Sequence, residues 1–159
     1  MIRHMGLLVM LLGLAACATG TSSTTTDNGL IRIKSNASVE VTVKRLQRAL
    51  DKAGMKQFGL IDHAAGASAI GQALRPTQVV IFGNPKAGTP LMRCAQEVAI
   101  DLPMKALIYQ DANGDVWYAY NGADYLDQRH NLSGCETPIA RITGALARFA
   151  DIAAGRTTP

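Results

Sequence analysis

The chain has no Cys-x-x-Cys pair, and its three histidines and three cysteines fall at no recognised metal-ligand spacing. A thioredoxin-like redox role is therefore not expected, nor a metal site or a cofactor. There is also no basic stripe and no regular spacing of stacking aromatics, although the net charge is +4. That argues against nucleic acid as a partner. The densest basic group, Lys44, Arg45, Arg48 and Lys52, reads as the solvated face of one helix. No internal repeat at a solenoid period is visible. Gly83-x-x-x-x-Gly88-Thr89 has the outline of a phosphate-binding loop but lacks the lysine that reaches the β- and γ-phosphates, which excludes a nucleotide triphosphatase.

What is present begins with the leader. Arg3 and His4 precede an apolar run from about Met5 to Leu14, and Leu14-Ala15-Ala16-Cys17 closes it. The run is too short to span a bilayer, which needs about 20 apolar residues, and has the length of a signal-peptide core. Small residues running straight into a cysteine resemble a bacterial lipoprotein signal. The expectation is a signal peptide over 1–16, with acylation of Cys17 and stable anchoring by two or more chains. Ala18 follows the cysteine in place of a retaining aspartate. By analogy with lipoproteins, this favours the outer membrane, with the domain facing the periplasm. Residues 17–29 are Thr/Ser-rich and form a tether. A single domain is expected over 30–154 and a frayed tail over 155–159. With Cys17 acylated, Cys94 and Cys135 remain in an oxidising compartment. They are either a disulfide or two small buried thiols.

Apolar-charged alternation over Ile31–Lys34 predicts a strand. Ser38 is an N-cap, and Val39, Val43, Leu46, Leu50 and Ala53 recur at helical spacing before Gly54. Lys56–Asp62 reads as a second strand. His63–Leu74 reads as an Ala-rich helix weakened by Gly66 and Gly71 and ended by Arg75-Pro76. Gln78–Phe82 is a β-branched central strand. Thr89-Pro90 has the form of a cap followed by proline at the first helical position, which predicts a helix to about Val98. Met104–Gln110 and Val116–Tyr120 are strands joined by a hairpin loop at Asn113-Gly114. Thr137-Pro138 repeats the cap device, and Ile139, Ile142, Leu146, Phe149 and Ile152 mark a last amphipathic helix. The fold class is α+β: an antiparallel-rich sheet of about five strands with two main helices on one face.

Several blocks are fairly specific in this order: Ile61-Asp62-His63, Ile81-Phe82-Gly83-Asn84-Pro85, Gly88-Thr89-Pro90-Leu91-Met92 and Ile100-Asp101-Leu102-Pro103, with Tyr120-Asn121 in a later strand. From about Ser35 to Leu132 the chain resembles the domain of unknown function 302. The resemblance implies a TATA-binding-protein-like β-α-β4-α arrangement that is often dimeric. It brings no activity and no catalytic residues. Cys94 and Cys135 depart from the family pattern, and a bridge between them would tie a C-terminal extension to the domain.

Two places could carry chemistry. Gly83, Asn84, Lys86, Gly88 and Thr89 lead into a helix N-terminus, where free N–H groups and the dipole favour an anion. The alternative is a plain turn with Thr89 as cap. Asp62 and His63 could form an acid–base unit, or one of them could cap the Ala-rich segment. Asp101 is expected to shape the start of a strand. Trp117, Tyr118, Tyr120 and Tyr125 could line a pocket or a dimer face, and alternation forbids Trp117 and Tyr118 from both facing the core. The leading expectation is a lipid-anchored module that binds a small molecule or a protein. The alternatives are an enzyme using Asp62, His63 and the Gly83–Thr89 loop, or a structural homodimer supporting an envelope complex.

Overall fold

A computed structural model of the chain describes residues 24–26 and 28–157. Cys17, the leader and most of the tether lie outside the described residues. Six strands form one sheet in the order β1-β2-β6-β5-β4-β3, every neighbour antiparallel. They are β1 (Thr24–Thr25), β2 (Leu30–Lys34), β3 (Lys56–Asp62), β4 (Thr77–Gly83), β5 (Met104–Gln110) and β6 (Val116–Asn121). The five longer strands are those expected from the sequence, and β1 adds two residues at one edge. Helices α1 (Val39–Lys52) and α5 (Glu136–Ala154) are the long ones; α2 (His63–Ala69), α3 (Pro85–Cys94) and α4 (Ala123–His130) are shorter, and a 3₁₀ turn covers Gln96–Asp101. Setting aside β1 and the short helices, the chain order is β-α-β-β-β-β-α.

The crossover follows from the strand order. β2 and β3 lie on opposite sides of the sheet, so α1, which joins them, must cross its face, and it touches β3, β4, β5 and β6 on the way. The Ser38 hydroxyl caps α1 by accepting from the Val41 N–H at 3.3 Å. Leu46 and Leu50 are fully buried beneath α1. Each contributes roughly 1.5–3 kcal/mol of burial. α5 lies beside α1 on the same face. The strand register delivers the matching surface. Val80, Ala106 and Tyr120 stand in one cross-strand row, and Ile108, Tyr118 and Ile33 in the next, all buried.

The opposite face carries Arg32, Leu107, Tyr109 and Trp117, and neither long helix covers it. Tyr118 faces the core and Trp117 faces out, as alternation requires. The Arg32 guanidinium lies 5.4 Å from the Trp117 ring centroid, and the indole N–H donates to Asp111 at 2.9 Å. Tyr118 Oη is buried without a hydrogen-bond partner among the described residues. Burial pushes its pKa far above the ordinary phenol value, so it stays neutral.

Several local expectations need correction: α3 ends at Cys94, short of Val98, and Cys135 rather than Thr137 is the N-cap of α5. The Ala-rich helix ends at Ala69 rather than Leu74, because Gly71 takes a positive φ of 73° and turns the chain. The helix expected from Thr89-Pro90 starts earlier, at Pro85. Asn84 is its N-cap, Pro85 takes the first helical position, and Pro90 falls inside. Asn84-Pro85 and Thr89-Pro90 offer the same device, and the first in chain order is used. The helix accepts Pro90 although that residue cannot return a hydrogen bond to Lys86. α4 has no counterpart among the predicted elements.

Candidate functional site

Cys94 is the last residue of α3 and Cys135 is the N-cap of α5, and a disulfide joins them across 41 residues of sequence, with Cα atoms 6.5 Å apart. Cys94 is therefore not a free thiol. The bridge holds α3 against α5. Between these two helices, above the ends of β4 and β5, lies a groove of about 520 Å³. Phe82, Leu146 and Phe149 are buried at its base, and Phe82 meets Phe149 edge to face with centroids 6.0 Å apart. Met92 and Ala87 of α3, Ile142 and Ala145 of α5, and Leu102-Pro103 supply its walls. Met55 and Phe58 close one end. Every methionine among the described residues, Met55, Met92 and Met104, lines this space. Methionine is flexible and polarisable and fits irregular apolar shapes.

The wall at Leu102-Pro103 is fixed from outside. Asp101 Oδ2 lies 2.6 Å from His130 Nε2 and 3.5 Å from Arg129 Nε, which ties the turn before Leu102 to α4. The His130 side chain is 6% exposed and that of Asp101 15%. Lys105 Nζ donates to the carbonyls of Asp101 and Pro103 at 3.1 and 3.2 Å. Asp101 thus orders the segment through side chains of α4, rather than by the local backbone bonds that Asp-Leu-Pro suggests. None of Asp101, Arg129 and His130 lines the groove.

Of the residues singled out in the sequence, Gly83, Asn84, Lys86, Gly88 and Thr89 line the groove, whereas Asp62 and His63 do not. The register separates the two sets. Lys56 pairs with Gly83, and Asp62 pairs with Gln78 at the far end of the same two strands. Five residues at about 3.3 Å each put them about 17 Å apart. A shared acid–base site is therefore not assembled. Asp62 is instead the N-cap of α2. Its carboxylate accepts from the Ala65 N–H at 2.9 Å and the Gln78 side-chain amide at 2.9 Å. The Ala65 bond first, then Gln78, holds its pKa below the usual carboxylate range. An ionised carboxylate with both oxygens engaged is poorly suited to donate a proton.

The expected backbone cradle for an anion is absent at 83–89. The Lys86 N–H donates to Asn84 Oδ1 at 2.9 Å, and the Ala87 and Gly88 N–H groups donate to the Asn84 carbonyl. Gly88 and Thr89 are helical, so no free N–H nest remains. What survives of the anion reading is the Lys86 side chain and the positive end of α3. Sequence reasoning missed the groove's α5 side entirely, including Arg141. Among the described residues that line the groove, Lys86 and Arg141 are the only charged side chains, and no carboxylate is present.

Among the described residues, no group of three or more His, Cys, Asp or Glu side chains is placed to hold a metal ion, and no helix is long and apolar enough to cross a membrane. The family model of the domain of unknown function DUF302 matches residues 31–149. A solved structure, the uncharacterized conserved protein DUF302 from Bacillus stearothermophilus, superposes with a TM-score of 0.71 at 19% identity, covering 79% of this chain and 98% of that one. Curated relatives include fluoride-specific ion channel FluC 1 of Brucella suis biovar 1 (strain 1330), 42% identical over 129 residues, with 78% of this chain and 50% of that protein covered. Fluoride-specific ion channel FluC 2 of Brucella melitensis biotype 1 (strain ATCC 23456 / CCUG 17765 / NCTC 10094 / 16M) matches at 42% identity, with 78% and 47% covered. The chain spans about half the length of the curated relatives it matches.

Proposed function

Given that this chain belongs to the DUF302 family, we propose that its domain binds an apolar or amphiphilic small molecule in the groove between α3 and α5. The observation that carries this reading is the groove itself. Its volume of about 520 Å³ falls within the range of about 300–1,000 Å³ common to ligand sites, and its lining is predominantly apolar with a few polar groups at the rim. Calorimetric titration with decanol, an uncharged ten-carbon chain, tests it. Saturable binding at one site per domain is expected. Heats no larger than those of dilution would remove the reading.

The domain is held at the outer membrane, facing the periplasm, by lipid on Cys17 and the tether that follows. The lipobox at Leu14-Ala15-Ala16-Cys17 supports this. A Cys17→Ser variant should leave the membrane fraction and appear free in the envelope. Its persistence in the outer membrane would contradict the assignment.

A second reading, a homodimer, rests on β3. This strand is a sheet edge, and Phe58, Leu60 and Ile61 are all exposed on it. A long apolar edge invites pairing with another strand. The register against β4 shifts between Gln57 and Gly59, so the regular stretch that a second copy could pair with is 59–62, which carries Leu60 and Ile61. Sedimentation equilibrium should show dimers for the wild type and monomers for Leu60→Glu. A monomeric wild type at tens of micromolar would contradict it.

A further inference from the structure

We propose that the ligand of this groove is a single-chain amphiphile with an anionic head, its chain over Phe82 and Phe149 and its head between Lys86 and Arg141. The inference rests on the groove reading and adds the ligand's charge.

Three observations point the same way. The apolar base and the methionine lining suit a hydrocarbon chain and offer few hydrogen bonds to a compact polar ligand. Lys86 and Arg141 come from two different helices, yet both border this one space. Neither side chain has an ion-pair or hydrogen-bond partner among the described residues. Exposed cations such as Arg48, Lys52, Arg93 and Arg148 also lack such a partner among the described residues; what sets Lys86 and Arg141 apart is that both border the groove. Two unpaired cations beside an apolar groove without a carboxylate leave a positive potential that nothing in the lining offsets. The N-terminal end of α3, a helix of 10 residues, adds to the same sign. A carboxylate or phosphate monoester on a hydrocarbon chain would satisfy both halves of the site. A bare inorganic anion would leave the apolar base wet, and a neutral chain would leave the cations unpaired.

The test compares decanoate with decanol by calorimetry at pH 8, where the carboxylate is fully ionised. The wild type should bind decanoate about tenfold more tightly than decanol, and the margin should shrink as salt screens the rim charges. Lys86→Gln and Arg141→Gln should each reduce the margin, and the double variant should lower decanoate affinity to that of decanol. Both residues are exposed, so the variants retain the fold. Equal wild-type affinities, or a decanoate preference that survives the double substitution, would overturn the anionic head while leaving the groove as a chain site. Failure of both probes to bind would overturn the groove reading itself.

Discussion

Reduction of the Cys94–Cys135 bridge is expected to lower the stability of the domain by about 4 kcal/mol. The figure follows from the loop it closes. A separation of 41 residues removes chain entropy from the unfolded state worth about 4 kcal/mol in the loop-closure treatment. Domains of this kind are stable by only about 5–15 kcal/mol, so the loss is a large share. The midpoint of thermal unfolding should fall by about 10–20 °C on reduction, or in a Cys94→Ala/Cys135→Ala variant. Cys94 is exposed and Cys135 buried, so the bond faces solvent from the Cys94 side. The bridge also joins the two helices that wall the groove, so the reduced protein should bind decanoate more weakly even well below its melting temperature. An unchanged midpoint after reduction would contradict the loop-closure account of the bridge.

Ala145→Trp is expected to weaken decanoate binding about a hundredfold while leaving the melting temperature close to that of the wild type. Ala145 is solvent-exposed on α5 and borders the groove, so an indole there can lie over the apolar base without displacing a packed neighbour. Covering about four methylene positions at about 0.8 kcal/mol each removes about 3 kcal/mol of chain burial, or about two orders of magnitude in affinity. Ile142→Trp, one turn earlier on the same wall, should act in the same direction. Full affinity in both variants would place the ligand elsewhere.

The long elements were legible because their periods are clean. Val39, Val43, Leu46 and Leu50 mark α1, the β-branched run marks β4, and Asn113-Gly114 sits in the turn between β5 and β6, with Gly114 at φ 84°. The family resemblance was equally legible in Ile81–Pro85 and Asp101–Pro103. α4 was not, because Ala123–His130 buries only Ala123 and Leu126 and so carries almost no apolar stripe. The start of α3 was ambiguous because two cap-plus-proline pairs stand five residues apart. Half of the candidate site was visible: Gly83, Asn84, Lys86, Gly88 and Thr89 do border the groove, although as a capped helix rather than an anion-binding loop. Asp62 and His63 were attractive only because they are adjacent, and the β3–β4 register sends them to the other end of the strands. The groove as a whole could not be read linearly. Its lining comes from Met55 and Phe58, from 82–92, from Leu102–Met104 and from α5. The available hint was the recurrence of methionine near the ends of separate elements.

The central claim, that the space between α3 and α5 is the binding site, is tested most directly by carbon-13 methyl spectra of methionine-labelled protein during a decanoate titration. Met55, Met92 and Met104 all line the groove. Their ε-methyl resonances should move together and saturate at one decanoate per domain, with the same dissociation constant as the calorimetry, and should stay in place in Ala145→Trp at the same ligand concentrations. If decanoate binds the wild type while these three methyls do not move, the groove is not the site.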